Sequence, residues 1–189
     1  MNSKRKGSGY EREVAHSLSD WLSKGTDTHI FMRRPLSGGM TRDHTGQSGH
    51  AGDIFADKPE GYRLTDLVVI ETKTYADLLG DLWNFVAGKQ NTSIEAFLLQ
   101  TIRSVPPDSN KGWMLIVKSS RKPPLLFCNL FGTPPRPRFA KWAFVYGNHE
   151  VGVCAFQDFL DYDPDGVLQY MEGACNRLRG HGEESDQVL

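Results

Sequence analysis

The run Leu67-Val68-Val69-Ile70 is a short, unbroken apolar stretch that ends abruptly in Glu71-Thr72-Lys73. Its length and β-branched content predict a buried strand from Leu67 to Tyr75. Side chains alternate along a strand, so Glu71 and Lys73 share one face and Thr72 points the other way. A second short strand, Asp53-Ile54-Phe55-Ala56, precedes it across the turn Lys58-Pro59-Glu60-Gly61. Two carboxylates and an ammonium at the end of a sheet can bind a divalent cation and position a water. That is the chemistry needed to cut a phosphodiester. Taken alone, Glu71 and Lys73 read equally well as an exposed ion pair near a strand end.

The rest of the chain supplies a frame for these strands. Residues 8 to 24 read as an amphipathic helix, with Ser8 as N-cap, Tyr10, Val14, Leu18, Trp21 and Leu22 at helical spacing, and Gly25 as its end. A short strand over residues 29 to 34 leads into a Gly/Ser-rich loop from Pro35 to Gly52, long enough to suggest a functional loop. Residues 77 to 103 are helical in one or two pieces, with Ile94, Phe97, Leu98 and Ile102 on one face, and Pro106-Pro107 stops them. Strands follow at Trp113 to Lys118, Leu125 to Cys128, Trp142 to Tyr146 and Val151 to Ala155. A helix then runs from about Pro164 to Arg179. The order α-β-β-β-α-β, with a further strand and a C-terminal extension, makes an α/β fold: a central mixed β-sheet flanked by helices. We expect a core over residues 1–132, a β/α extension packed on it over 133–179, and a flexible acidic tail over 180–189.

Composition narrows the class of molecule. At 189 residues, 39% hydrophobic and 24% charged, the chain is an ordinary globular protein with one well-buried core. No apolar run reaches the length of a membrane span, and the basic start at Lys4-Arg5-Lys6 has no apolar segment behind it, so neither a membrane partner nor a signal peptide is expected. The cysteines, Cys128, Cys154 and Cys175, are scattered and odd in number, which fits a reducing cytoplasm, bacterial or of a phage-infected cell, and argues against a disulfide framework. Net charge is only -1, but positive charge gathers at Lys4-Arg5-Lys6, Arg33-Arg34, Arg121-Lys122 and Arg136 to Lys141. Phosphate binding needs such local patches rather than a basic whole.

Glu11 adds a third acid. At about 100° per residue it falls inside the apolar face between Val14 and Leu18, whereas Glu13 lies to the side. An acid turned toward a core needs a partner. One explanation is a capping box, Ser8-x-x-Glu11, in which Glu11 reaches back to the Ser8 amide. The other is that Glu11 joins Asp53 and Glu71 at a metal site. A hard ion such as Mg²⁺, with Mn²⁺ as a substitute, suits these oxygens, and the backbone carbonyl of Thr72 can add a ligand. Lys73 would then orient the water or neutralise developing charge.

The segment Lys6-Gly7-Ser8-Gly9-Tyr10-Glu11-Arg12-Glu13 resembles the N-terminal helix motif of archaeal Holliday-junction resolvases, within the PD-(D/E)XK nuclease superfamily. The subsequent order is also similar: Arg33-Arg34-Pro35-Leu36-Ser37-Gly38-Gly39, then Gly52-Asp53, then Ile70-Glu71-Thr72-Lys73. Small resolvase-like nucleases of phages and mobile elements carry an R-x-P-x-S-G-G segment ahead of the aspartate in the same way. The resemblance covers roughly residues 4 to 128. It implies a restriction-endonuclease-like core, with Glu11, Asp53 and Glu71 as metal-site acids, Lys73 as the catalytic lysine and Ser37 near the phosphate. Gly52 stands where the superfamily's name places proline. Lys6, Arg33, Arg34 and Arg42 are the expected grips on the DNA backbone.

The function expected is metal-dependent endonuclease cleavage of branched, Holliday-junction-like DNA by a homodimer, since two symmetric cuts need two sites. A restriction-like or nicking nuclease on duplex DNA, or a non-catalytic DNA-binding or virion protein keeping the fold, are the alternatives. His44 and His50 read as solvated loop residues, and Gln100 as a surface residue off the apolar stripe of its helix. Trp83, Phe85, Trp113 and Trp142 read as core.

Overall fold

The computed structural model describes residues 3–34, 51–132 and 134–184. Helix α1 spans Ser3–Leu22 and buries Tyr10, Val14, Ala15, Leu18 and Trp21 along one stripe. It begins ahead of Ser8, because Lys4-Arg5-Lys6 are good helix formers and the two nearby glycines are accommodated inside the helix. Ser8 is therefore an interior residue whose carbonyl accepts the Arg12 Nε–H at 3.2 Å, and the capping-box explanation of Glu11 is overturned. The helix closes where expected: Lys24 and Gly25 take φ values of 54° and 86°, and the Gly25 amide returns to the Asp20 carbonyl at 2.8 Å.

Strand β1, Phe31–Arg33, is docked onto α1 by one buried hydroxyl. Ser19 Oγ donates to the Ala15 carbonyl at 2.8 Å and accepts from the amides of Ile30 at 3.1 Å and Phe31 at 2.8 Å. Ser19→Ala would leave both amides without this acceptor. We expect it to lower unfolding stability by about 2–4 kcal/mol, measured by urea denaturation.

The remaining elements are β2 (Ile54–Ala56), α2 (Tyr62–Thr65), β3 (Val68–Tyr75), α3 (Leu78–Val86), α4 (Ser93–Ser104), β4 (Gly112–Ser119), β5 (Leu125–Cys128), β6 (Trp142–Tyr146), β7 (His149–Ala155), α5 (Phe156–Leu160) and α6 (Pro164–Glu184). The strands form one seven-stranded mixed sheet in the order β1-β2-β3-β4-β5-β7-β6. Only β3 and β4 pair in parallel, which is why the long crossover through α3 and α4 lies between them. β7 pairs with β5, so the C-terminal extension continues the sheet. Val68, Ile70, Ile54, Met114 and Ile116 face α1 and α6, while Trp113, Leu115, Val117 and Phe127 face Leu78, Ile94 and Leu98 of α3 and α4. The fold is the restriction-endonuclease-like α/β arrangement expected, helices on both faces of a mixed sheet.

Several details differ from expectation. The helical stretch at 77 to 103 breaks at Gly88 (φ 78°) and Asn91 (φ 59°), and α4 restarts at Thr92, whose hydroxyl accepts the Glu95 amide at 3.3 Å. Trp83 and Trp142 are not core: they are 74% and 62% exposed. Trp83 lies on the side of α3 away from Leu78, and Trp142 begins β6, the last strand of the sheet. Helix α6 runs past Arg179 to Glu184. The one-turn helices α2 and α5 carry too few residues to show a period. Among the described residues no helix is long and apolar enough to cross a membrane.

Candidate active site

Asp53 is held where β2 peels away from β3. Its amide donates to the Ile70 carbonyl and its own carbonyl accepts from the Arg34 amide, each at 2.8 Å. Its carboxylate is fixed too: Oδ2 accepts from the Thr72 amide at 2.9 Å and lies 3.4 Å from the Thr72 hydroxyl. Gly52 makes this approach possible. It sits at φ 90°, and a Cβ there would lie 2.6 Å from the Ile70 carbonyl oxygen. Proline, locked near φ −65°, cannot take this conformation, which accounts for glycine before Asp53. Gly52→Ala is expected to cost about 2 kcal/mol or more in thermal or urea unfolding and to impair DNA cleavage by displacing Asp53.

Glu71 is buried, and the Lys73 ammonium lies beside it: Nζ is 3.2 Å from Glu71 Oε2 and 3.9 Å from Asp53 Oδ2. Strand alternation puts Glu71 and Lys73 on the α4 face of the sheet, with Thr72 opposite. Glu11 arrives from α1. The Arg33 guanidinium stands 3.6 Å from Glu11 Oε2, an oxygen that is buried and has no hydrogen-bond donor among the described residues.

The electrostatics follow from three acids packed together. Burial, then the charge of Asp53, pushes the Glu71 carboxyl up to about 7, against the counter-pull of Lys73. Burial and Asp53 also raise Glu11, with Arg33 and Lys73 opposing. Glu11 and Glu71 thus both feel Asp53, and the two cations only partly neutralise the set. Among the described residues no three acidic, imidazole or thiol groups stand in a ready coordination geometry, since Lys73 and Arg33 lie against these oxygens. The donor chemistry nonetheless fits a hard divalent cation: oxygen ligands, one of them an orphaned buried oxygen, with two carboxyls driven toward protonation for want of positive charge.

The other expected contacts are distributed differently. Arg33 turns inward to Glu11, while the Arg34 side chain is half-buried nearby. Lys6 lies in the first turns of α1. Ser37, Arg42, His44 and His50, with most of the Pro35 to Gly52 loop, lie outside the described residues. Glu71 opens onto a recess of about 430 Å³ whose far wall is α4, with Ala96, Gln100 and Arg103 among its lining residues. Gln100, set aside on sequence, and Arg103, not considered, therefore share a surface with Glu71. The available signal was spacing: residues 96, 100 and 103 recur at helical intervals beside the apolar stripe of Ile94 and Leu98.

Residues 2–131 match a family model described as "phage putative PDDEXK endonuclease". No curated protein matches the chain, and no solved structure does. The matched span runs from α1 through the turn after β5 and takes in all three acids, Lys73 and Arg33. The chain belongs to this phage branch of the PD-(D/E)XK nucleases.

Proposed function

We propose that the protein is a metal-dependent endodeoxyribonuclease that cleaves branched, Holliday-junction-like DNA through the cluster of Glu11, Asp53, Glu71 and Lys73. The observation that carries this reading is the under-neutralised packing of the three acids around the Lys73 and Arg33 cations. Asp53, Glu71 and Glu11, with the Thr72 carbonyl, would hold Mg²⁺, and Mn²⁺ in its place. A divalent ion there supplies Lewis acidity at the scissile phosphate and a more acidic water.

The residues divide the remaining work. Asp53 is oriented by the Thr72 amide, so its second oxygen has a defined direction. Lys73, between two carboxylates, is placed to orient the attacking water and to offset the charge that builds on the phosphate. Arg33 holds Glu11 in position and, with Arg34, Lys6, Ser37 and Arg42, would grip the backbone around the cut. A homodimer suits the substrate, because a two-fold junction presents two equivalent phosphates.

The test is purified protein with Mg²⁺ on a four-way junction and on a linear duplex of the same sequence. The expected result is cleavage of the junction at least about tenfold faster. Equal rates would reject the junction preference in favour of a duplex nuclease. No cleavage of either would reject catalysis in favour of a binding role.

A further inference from the structure

Between the N-terminal half of α1 and the C-terminal ends of β3 and β4 lies an open groove of about 740 Å³. It is separate from the recess beneath α4, and the reaction above makes no use of it. Tyr10, Glu13, Thr74, Tyr75, Lys118 and Arg121 are among its lining residues. Its volume is in the range of pockets that enclose a ligand of nucleotide size.

Each wall offers something different. Tyr10 is only 4% exposed, yet its hydroxyl has no hydrogen-bond partner among the described residues. Buried hydroxyls are rarely left so unless a ligand or solvent completes them. The one acid, Glu13, is already neutralised: both its oxygens bind the Lys118 ammonium, at 2.7 and 2.6 Å, and that ammonium sits 5.0 Å from the centre of the Tyr10 ring. Arg121 is exposed, projects from the β4–β5 turn and forms no ion pair with a described residue. The Tyr75 ring is braced edge-on by Phe97 at 5.8 Å. A free cation, hydroxyls, a braced ring and an unpaired buried donor are what a single-stranded nucleotide engages. In a continuous duplex the faces and pairing edges of the bases are already occupied.

Position ties the groove to the cleavage site. Thr74 and Tyr75 directly follow Lys73 on β3, and Tyr10 and Glu13 flank Glu11 on α1. Two residues of strand advance about 7 Å, comparable with one nucleotide step of an extended single strand. We propose that this groove holds one unpaired nucleotide of the DNA strand next to the phosphate at Lys73, with its phosphate on Arg121, its base against Tyr75 and a base edge at the Tyr10 hydroxyl. This rests on the nuclease reading and adds to it a reason for choosing branched over continuous DNA.

The experiment measures binding of the full chain, in EDTA so that nothing is cut, to a labelled duplex with a short single-stranded flap and to the same duplex without one. Tyr10→Phe removes only the hydroxyl. Arg121→Asn removes the charge and suits the left-handed backbone at φ 59°. Each is expected to weaken flap binding about five- to tenfold and to leave continuous duplex unchanged. Arg121→Asn should also lower the salt slope on the flap substrate by about 0.7, and Tyr10→Phe should not lower the Tm. Unchanged flap binding in both variants, or equal losses on both DNAs, overturns the groove assignment alone. Wild-type protein that neither binds nor cuts any DNA overturns the nuclease reading and the groove with it.

Discussion

Asp53→Asn is expected to lower the rate of DNA cleavage by about a thousandfold or more, while raising the Tm of the metal-free protein. Loss of catalysis follows if Asp53 holds the metal: the amide removes one full negative charge from a site where charge complementarity dominates the barrier. The gain in Tm follows from the same charge. Asp53 raises both Glu11 and Glu71, so replacing it with a neutral group relieves repulsion that folding now has to overcome. Asparagine is the informative substitution because its side-chain oxygen can still accept the Thr72 amide, now held by Asp53 at 2.9 Å. Alanine would orphan that buried amide, at about 1–3 kcal/mol, and mix a folding defect into the kinetics. Cleavage assays and thermal melts on the same preparation separate the two effects. Wild-type activity in the Asn variant would remove Asp53 from the chemistry, whatever its Tm.

Those opposed signs bear on what the sequence could and could not announce. The buried run ending in Glu71-Thr72-Lys73 was legible because a strand's two-residue period alone assigns Glu71 and Lys73 to one face. The inward phase of Glu11 was legible for the same reason at the helical period. Sequence could not show where Arg33 goes. Its side chain turns from the surface to Glu11 through a contact between β1 and α1 that depends on Ser19 bonding two amides beyond the helix. Gly52 was visible as a departure from proline, but its cause is a backbone approach to Ile70 that no local rule encodes. The start of α1 was misplaced because Gly7 and Gly9 read as breakers, although tertiary burial of Tyr10, Val14 and Leu18 outweighs a glycine penalty of about 1 kcal/mol each. Trp83 was misplaced because its size suggests burial, whereas the helical phase set by Leu78 and Phe85 turns it outward.

The second large effect is on stability against pH. Glu71 titrates near 7 in the folded protein against an ordinary value of 4.5. Between those values the native state keeps a proton that the unfolded chain has released, so stability is full below about 4.5 and falls as pH rises toward 7. The fall attributable to Glu71 is on the order of 3 kcal/mol, and the raised Glu11 carboxyl adds to it in the same direction. Asp27, Asp163 and Asp165 act in another window. Their carboxyls lie below the usual 3.8, each lowered first by a hydrogen bond from Lys58, Lys24 or Arg63 respectively, so their contribution is lost as pH falls through the acid range. The metal-free protein should therefore be most stable in mildly acidic solution and lose Tm from about pH 5 to 7.5. Mg²⁺ should reverse the slope, because the carboxylates must be deprotonated to bind it. Its stabilisation would grow with pH and reach about 2.7 kcal/mol at a hundredfold excess over Kd. Melts in EDTA and in Mg²⁺ at several pH values measure both slopes. Glu71→Gln should flatten the EDTA slope and abolish the Mg²⁺ shift. A metal-free Tm that instead rises between pH 5 and 7.5 would mean that Lys73 and Arg33 already neutralise the acids, and the site would then have no electrostatic need of a metal.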